Sequence, residues 1–299
     1  MKPAALDQLL WRSSKPTPVH PQTKIIDVDT TQVRIRDTAA NKPAIIFFCD
    51  PPIMVELYDE LIEQIGPEFR VVVLELPGFG FSKLKSASAL KFSETILAVE
   101  AAIQQLELGP VVLCGPCICG FVVTALAHRA NLDVAGLVLM QTPDLAGMFA
   151  WTERMDPKRQ LRTPYLGQIL VRVGAKRLTQ SWLRYATGKT TDHSVMSQKS
   201  TEVLEAGGSY PLATMLQLWS DGPRDHAIEL PALIFWGQQD RSHVPTERTS
   251  TLKHVPQGEL IKFEHCGHFP ELEDPVEFSN RARPFFQSCL YSAKEHNSM

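Results

Sequence analysis

Four short, almost wholly apolar runs separated by helical patterns constrain the fold of this chain more than any other feature. The runs are bounded by turn-forming residues and occupy residues 44–48 (AIIFF), 70–76 (RVVVLEL), 110–115 (PVVLCG) and 136–141 (GLVLMQ). Between them, helical spacing covers residues 55–65, 92–106 and 120–130. Strands that are apolar along their whole length are typical of a parallel sheet covered on both faces by crossover helices. We therefore predict an α/β fold with a mostly parallel, doubly wound sheet.

The remaining sequence divides the chain into an arm, a core and an insertion. Apolar and polar residues alternate over residues 25–37, which predicts an antiparallel hairpin. Helical spacing replaces the strand pattern after residue 142, and strand patterns resume at residues 231–237 and 260–264 before a closing helix. The predicted units are an N-terminal arm (1–24), an α/β core (25–142 and 229–299) and a helical lid, or cap (143–228).

Composition restricts the classes of partner and compartment. The chain has 299 residues, a formal net charge of −3 and 44% hydrophobic residues, as in ordinary globular domains. A nucleic-acid partner is not expected, because such domains are usually strongly basic. The N-terminus has no secretory pattern, and no apolar run approaches the length of a membrane span. The six cysteines show no disulfide framework. We expect a cytoplasmic protein with reduced thiols.

The stretch VVLCGPCICGFVV (111–123) predicts a strand that turns sharply into a helix. Gly115 and Gly120 flank Cys117, and small residues near the apex make such a turn sterically feasible. The apex side chain then lies at the helix N-terminus, where the dipole and free N–H groups stabilise anions. We expect Cys117 at the apex with a depressed pKa. Cys114 and Cys119 are predicted to pack in the strand and the turn.

These residues resemble the nucleophile elbow of the α/β-hydrolase superfamily, with Cys117 where most members have serine. Three further segments resemble motifs of the family and occur in the family's order along the chain, one before the elbow and two after it: LELPGFGFS (74–82), WGQQDRSHVP (236–245) and HCGHFPELEDPVEF (265–278). In the first of them, Glu75 stands at the family's aspartate position. The resemblance covers residues 25 to about 290 and implies a hydrolase fold with a lid.

The resemblance also implies a catalytic triad of Cys117, His268 and Asp240. His268 would take the thiol proton and later return it to the leaving group or activate water. Asp240 would hold the imidazole in one tautomer and stabilise the imidazolium. A thiolate is readily acylated by thioesters, so the expected enzyme is a thioesterase or acyl-transfer enzyme acting on a hydrophobic acyl thioester. No cofactor is expected.

The expected oxyanion and substrate-binding residues are Ile118, Asp50 and Pro51. The Ile118 N–H is one predicted donor. The segment FFCDPPIM (47–54) replaces the family's His-Gly with Cys49 and Asp50, which places the second donor at Pro51, a residue without an N–H. A shift of one residue makes Asp50 the donor instead. The Asp50 carboxylate would oppose an oxyanion or serve as a second acid–base group.

The predicted lid is strongly basic. Residues 153–189 contain nine basic and two acidic residues, a formal net charge of +7. A basic lid would attract an acyl carrier protein or the phosphates of coenzyme A, although a solvated helix face has the same composition. Aromatic side chains expected to line a hydrophobic acyl pocket, or to form core packing, are Phe149, Trp151, Tyr165, Trp182, Tyr185 and Trp219.

Several alternatives remain open at this point. An esterase, a lactonase or a carbon–carbon hydrolase would use the same layout, and dienelactone hydrolases also carry cysteine in this fold. A binding or electrophile-scavenging member without hydrolysis is favoured by the altered CDPP segment and opposed by the retained His268 and Asp240. No metal site is predicted, because the spacing of Cys114, Cys117 and Cys119 matches no standard zinc pattern.

Overall fold

A computed structural model describes residues 19–219 and 222–296. The predicted N-terminal arm lies mostly outside these residues. In the described part of the chain nine strands form one sheet: β1 (Thr23–Val28), β2 (Thr31–Asp37), β3 (Ala44–Cys49), β4 (Arg70–Glu75), β5 (Lys83–Leu84), β6 (Val111–Pro116), β7 (Val134–Met140), β8 (Ala232–Gly237) and β9 (Glu259–Phe263). Their order is β1-β2-β4-β3-β6-β7-β8-β9, and the short β5 pairs with β2. Strands β3, β4 and β6–β9 are parallel, while β1, β2 and β5 pair antiparallel.

Helices follow the strands and cover both faces of the sheet. They are α1 (Asp59–Ile65), α2 (Phe92–Gln104), α3 (Ile118–Arg129), α4 (Leu145–Met155), α5 (Leu166–Ala186), α6 (Ser194–Val203), α7 (Ser209–Leu218), α8 (Pro270–Glu273) and α9 (Pro275–His296). Successive side chains of a strand point to opposite faces. Ile46 and Phe48 accordingly pack in one buried cluster with α2 and α3. Ile45 and Phe47 pack in the other with α1 and α9. The predicted doubly wound α/β sheet is confirmed.

The insertion between β7 and β8 consists of helices α4 to α7. A π-helical turn at Leu204–Gly208 connects α6 to α7. The predicted helix over residues 55–65 is divided, because Val55–Tyr58 forms a 3-10 turn before α1. No helix in the described ranges combines the length and the apolar character that crossing a membrane requires.

Strand β3 is the point where the winding of the sheet reverses. Strand β4 lies on one side of β3 and β6 lies on the other. Ligands bind in the crevice that such a reversal opens at the carboxyl ends of the strands. The loops that begin at Asp50, after β3, and at Cys117, after β6, meet at this crevice, and both residues line the same cavity.

Glu75, at the position of the family's aspartate, fixes the turn that follows β4. Its fully buried carboxylate accepts hydrogen bonds from the Phe81 N–H (2.6 Å) and the Val55 N–H (3.2 Å), and pairs with Arg34 Nη1 at 3.0 Å. Burial raises the pKa of Glu75 to about 7. A Cβ added to Gly80 would lie 2.1 Å from the Glu75 side chain, so glycine is required there.

Candidate active site

Cys117 lies at a strained turn between β6 and α3. Its backbone has φ 46° and ψ −114°, a conformation that residues with side chains rarely adopt. The Cys117 N–H donates to the carbonyl of Met140 at 2.7 Å, which ties the turn to β7. The turn needs space around it, because a Cβ on Gly115 would lie 2.7 Å from the Cys119 carbonyl and one on Gly120 would lie 2.2 Å from Thr142 Oγ1.

Asp240 and His268 form a buried pair in the loops after β8 and β9. His268 Nδ1 lies 2.6 Å from Asp240 Oδ2, and both side chains are fully buried. The Asp240 carboxylate also accepts hydrogen bonds from Gln141 Nε2 and from the backbone N–H and hydroxyl of Ser242. Burial alone would raise the pKa of Asp240, but His268 outweighs it and lowers the pKa to about 2. The aspartate is therefore a fixed negative charge that orients the imidazole.

The other edge of the imidazole faces the cysteine. Cys117 Sγ and a ring nitrogen of His268 lie within 4.8 Å of each other. Trp182 packs edge-on against the His268 ring at 5.3 Å between centroids. Burial alone would lower the pKa of His268, but the charges of Asp240 and Cys117 raise it well above its usual range. The three predicted triad residues, which are distant in sequence, are adjacent in the fold.

The predicted depressed pKa of Cys117 is wrong for the structure as it stands. Burial, followed by the charge of Asp50, raises the pKa of Cys117 to about 11, although His268 lowers it in part. Cys117 is only 4% exposed, so the loss of hydration outweighs the helix N-terminus. With a pKa of about 11, the Cys117 thiol keeps its proton at neutral pH.

Asp50 directs its carboxyl group into the site. It is 3% exposed, and its Oδ2 lies 3.6 Å from His268 Nε2. Burial raises the pKa of Asp50, while His268 and the backbone N–H of Ile118 act in the opposite direction. Asp50, Pro51, Cys117 and Ile118 line one cavity. The predicted oxyanion residues are thus adjacent, with a carboxyl group near the Ile118 N–H.

Sequence reasoning missed His243, a second buried histidine at the site. It is 2% exposed, and one of its ring nitrogens lies within 4.8 Å of Cys117 Sγ and of a His268 nitrogen. Its ring stacks on Trp151 at 5.6 Å and 15°. Burial lowers the pKa of His243 to about 3, so the ring is neutral. The sequence offered one signal for His243, which is that it lies three residues after Asp240 in the same predicted loop.

A cavity of about 210 Å³ opens beside Cys117 under the insertion helices. Its lining is mostly apolar and includes Met148, Trp151, Leu178, Trp182, Leu204 and Met215. Two of the six predicted aromatic residues, Trp151 and Trp182, line it. Phe149, Tyr165 and Tyr185 are at least 40% exposed instead, and Trp219 packs on Phe92. Trp151 Nε1 and Thr179 Oγ1 are buried without a hydrogen-bond partner in the described residues, and both residues line the cavity.

The remaining cysteines and the basic residues occupy ordinary structural positions. Cys114 packs within β6, and the Cys119 thiol donates to the Cys49 carbonyl at 3.4 Å. Arg162 pairs with Glu153 and Asp156. Other basic residues of the insertion are exposed and make no ion pair within residues 19–219 and 222–296: Lys158, Lys176, Arg177, Arg184 and Lys189.

Comparison with known proteins agrees with this architecture. The family model described as alpha/beta hydrolase fold matches residues 51–275. A pimeloyl-[acyl-carrier protein] methyl ester esterase from Nitrosomonas europaea is 24% identical over 252 residues, 81% of this chain and 95% of that protein. The enzyme of the same name from Vibrio vulnificus is 23% identical over 235 residues, 77% of this chain and 88% of that protein.

Solved structures share the fold at lower identity. A thermophilic esterase from Thermogutta terrifontis superposes with a TM-score of 0.73 at 20% identity, covering 89% of this chain and 99% of that one. At such low identity the likeness establishes the fold only, and the chemistry has to be inferred from the residues of the site.

Proposed function

Because the chain belongs to the alpha/beta hydrolase fold family, we propose that it is a hydrolase with a Cys117–His268–Asp240 triad and a covalent acyl-thiolate intermediate. The observation that carries the proposal is the 2.6 Å contact between Asp240 and His268 beside Cys117 on its strained turn. A pure binding protein has no physical need for an oriented imidazole at a buried thiol.

The reaction begins when His268, with Nε2 unprotonated while Cys117 is a neutral thiol, accepts the Cys117 proton at Nε2. The thiolate attacks the acyl carbonyl, and the tetrahedral intermediate collapses with loss of the alcohol or thiol, which takes the proton from His268. Water, deprotonated by the same imidazole, then releases the acid and restores the thiol. The negative charge of Asp240 stabilises the imidazolium in both halves of the cycle.

Asp50 takes part in the oxyanion site in its protonated form. Pro51 has no N–H to donate, and the Ile118 N–H is a single donor. Burial raises the pKa of Asp50, which favours a neutral carboxyl group that can donate its O–H to an oxyanion. A neutral acid at this place would substitute for the missing backbone donor, whose loss costs about 3–4 kcal/mol in the barrier.

The acyl group that the cavity favours is hydrophobic and compact, with polar substituents. A volume of about 210 Å³ is below the roughly 300–1,000 Å³ of drug-sized ligand sites. The buried Trp151 Nε1 donor and the Thr179 hydroxyl both need partners, since a buried unpaired polar group costs about 1–3 kcal/mol. A keto or hydroxy acyl chain would provide them.

The leading substrate is an acyl thioester on an acidic carrier. The two curated relatives are named for a substrate attached to acyl carrier protein. The exposed cations Lys176 and Arg177 lie on α5, whose residues Val171, Leu178 and Thr179 line the cavity. They would meet the acidic surface of a carrier protein or the phosphates of coenzyme A. Oxygen esters form the second candidate, because both relatives are methyl ester esterases by name.

A panel of substrates with matched variants tests this function. The panel holds plain and keto acyl thioesters, methyl esters and lactones. Cys117→Ser should lower thioester turnover at least a hundredfold, whereas the control Cys119→Ser should stay within threefold of the parent. Equal turnover by Cys117→Ser and the parent would overturn the cysteine mechanism, and turnover of no member of the panel would favour a binding or scavenging protein.

Charge reversal on α5 tests the carrier separately. Lys176→Glu with Arg177→Glu should raise KM for a carrier-bound thioester at least tenfold and leave KM for a small neutral thioester unchanged. Equal effects on both substrates would contradict carrier recognition.

A further inference from the structure

The nucleophile lies in a cluster of buried groups that could all bind a metal ion. Cys117, His243 and His268 each offer one ligand atom, and these atoms lie within 4.8 Å of one another. All three residues are at most 4% exposed. The Asp50 carboxyl group lies beside this group, with its Oδ2 3.6 Å from His268 Nε2.

The free electron pairs of these groups are not used elsewhere in the described structure. Neither ring nitrogen of His243 has a hydrogen-bond partner there, and the same is true of His268 Nε2 and Asp50 Oδ1. The triad proposed above has no role for His243. The buried His243 imidazole, with both nitrogens unpaired and a thiol beside it, offers a lone pair that a metal ion can use.

Contacts with neighbouring side chains hold both histidine rings in place. His268 is held by the contact of Nδ1 with Asp240, the arrangement in which a carboxylate fixes the tautomer and leaves Nε2 to the metal. His243 is fixed by stacking on Trp151 and by an edge contact with Trp236 at 5.7 Å.

We propose that Cys117, His243 and His268 form a three-ligand binding site for Zn²⁺ that blocks the nucleophile. Zinc binds thiolate at about 2.3 Å and imidazole at about 2.0–2.1 Å, so its ligand atoms lie about 3.4–3.6 Å apart. The three ligand atoms, which lie within 4.8 Å of one another, would move closer together to reach that geometry. With its sulfur bound to the metal, Cys117 is no longer free to attack an acyl carbonyl.

Metal binding releases protons. Zn²⁺ displaces the proton of the Cys117 thiol and any proton on His268 Nε2, which pass to solvent, and the metal is bound by one thiolate and two neutral imidazoles. Inhibition of turnover by Zn²⁺ rests on the function proposed above, whereas the binding itself does not.

Binding is therefore measured without turnover, on the full chain with Co²⁺ and Zn²⁺ alone as probes. The parent should bind one Co²⁺ with a thiolate-to-cobalt absorption band, and Zn²⁺ should slow alkylation of Cys117 by iodoacetamide at least tenfold, as followed by peptide mass. His243→Phe, which keeps a ring to stack on Trp151, should weaken Zn²⁺ protection at least tenfold. Cys117→Ser should lose the absorption band.

His265→Phe is the matched control. His265 belongs to a separate group with Asp274 and Glu277 that is partly exposed. This variant should keep both the band and the protection. The proposal is overturned if Zn²⁺ does not protect Cys117 in the parent, or if His243→Phe is protected as well as the parent is. If His243→Phe fails to fold, His243→Gln replaces it under the same criterion. Catalytic failure of the triad would leave the Co²⁺ absorption band unchanged, so that readout separates metal binding from turnover.

Discussion

Replacing Asp240 by asparagine removes one charge from the candidate triad and little else. The side chain keeps its shape and can still accept a hydrogen bond from Ser242. At the 2.6 Å separation of His268 Nδ1 and Asp240 Oδ2, an effective dielectric constant of about 20 gives an attraction of about 6 kcal/mol between the charges. Desolvation offsets part of this, and loss of one partner from a buried pair typically costs about 3–5 kcal/mol.

If that loss appears fully in the transition state, where His268 is positively charged, kcat/KM should fall between about a hundredfold and a few thousandfold. The assay is product release from an acyl thioester, followed by mass spectrometry. Alkylation of Cys117 should slow in parallel, because the imidazole accepts its proton less readily.

Asp144→Asn is the matched control. Asp144 is also a buried aspartate with a cationic partner, Lys253, but it caps α4 away from the cavity. Its substitution should change kcat/KM by less than threefold. The reasoning is refuted if Asp240→Asn folds with the parent's circular dichroism and retains more than a tenth of its kcat/KM.

Two further predictions concern stability. Gly120→Ala places a Cβ 2.2 Å from Thr142 Oγ1 and should lower the free energy of unfolding in urea by about 1–3 kcal/mol; an unchanged midpoint would contradict the packing argument. Glu271 is fully buried, and burial raises its pKa from 4.5 to about 8. The folded chain thus retains a proton that the unfolded chain releases above pH 4.5, so this group lowers stability as pH rises toward 8. The difference in free energy of unfolding between Glu271→Gln and the parent should therefore grow by about 3–5 kcal/mol in favour of the variant from pH 4.5 to pH 8. Urea unfolding of both proteins at both pH values measures it, and the same difference at both pH values would contradict the prediction.

The buried parallel strands and the crossover helices followed from local patterns. Each buried parallel strand is nearly all apolar, and each turn is marked by glycine or proline, so the runs at 44–48 and 110–115 predicted β3 and β6 to within one or two residues. Helix α3 begins two residues before its predicted start, because Cys117 rather than Gly120 is its N-terminal boundary.

The electrostatics of the site did not follow from local patterns. The pKa of Cys117 depends on burial and on Asp50, which is distant in sequence but adjacent across β3 and β6. His243 has no motif of its own, and its proximity to Cys117 arises only when the loop after β8 folds over the site. The effect of a helix N-terminus on a pKa can be predicted from the sequence, but the effect of desolvation can be assessed only once the packing around the group is known.

The central claim, that Cys117 is acylated during turnover, is tested most directly by the mass of the enzyme quenched within milliseconds of mixing with an activated acyl thioester. We predict one acyl group per chain, localised by peptide fragmentation to Cys117 rather than Cys119, appearing as a burst and disappearing as the acid accumulates. Turnover without an adduct on Cys117, or an adduct that Cys117→Ala still forms, would contradict the account.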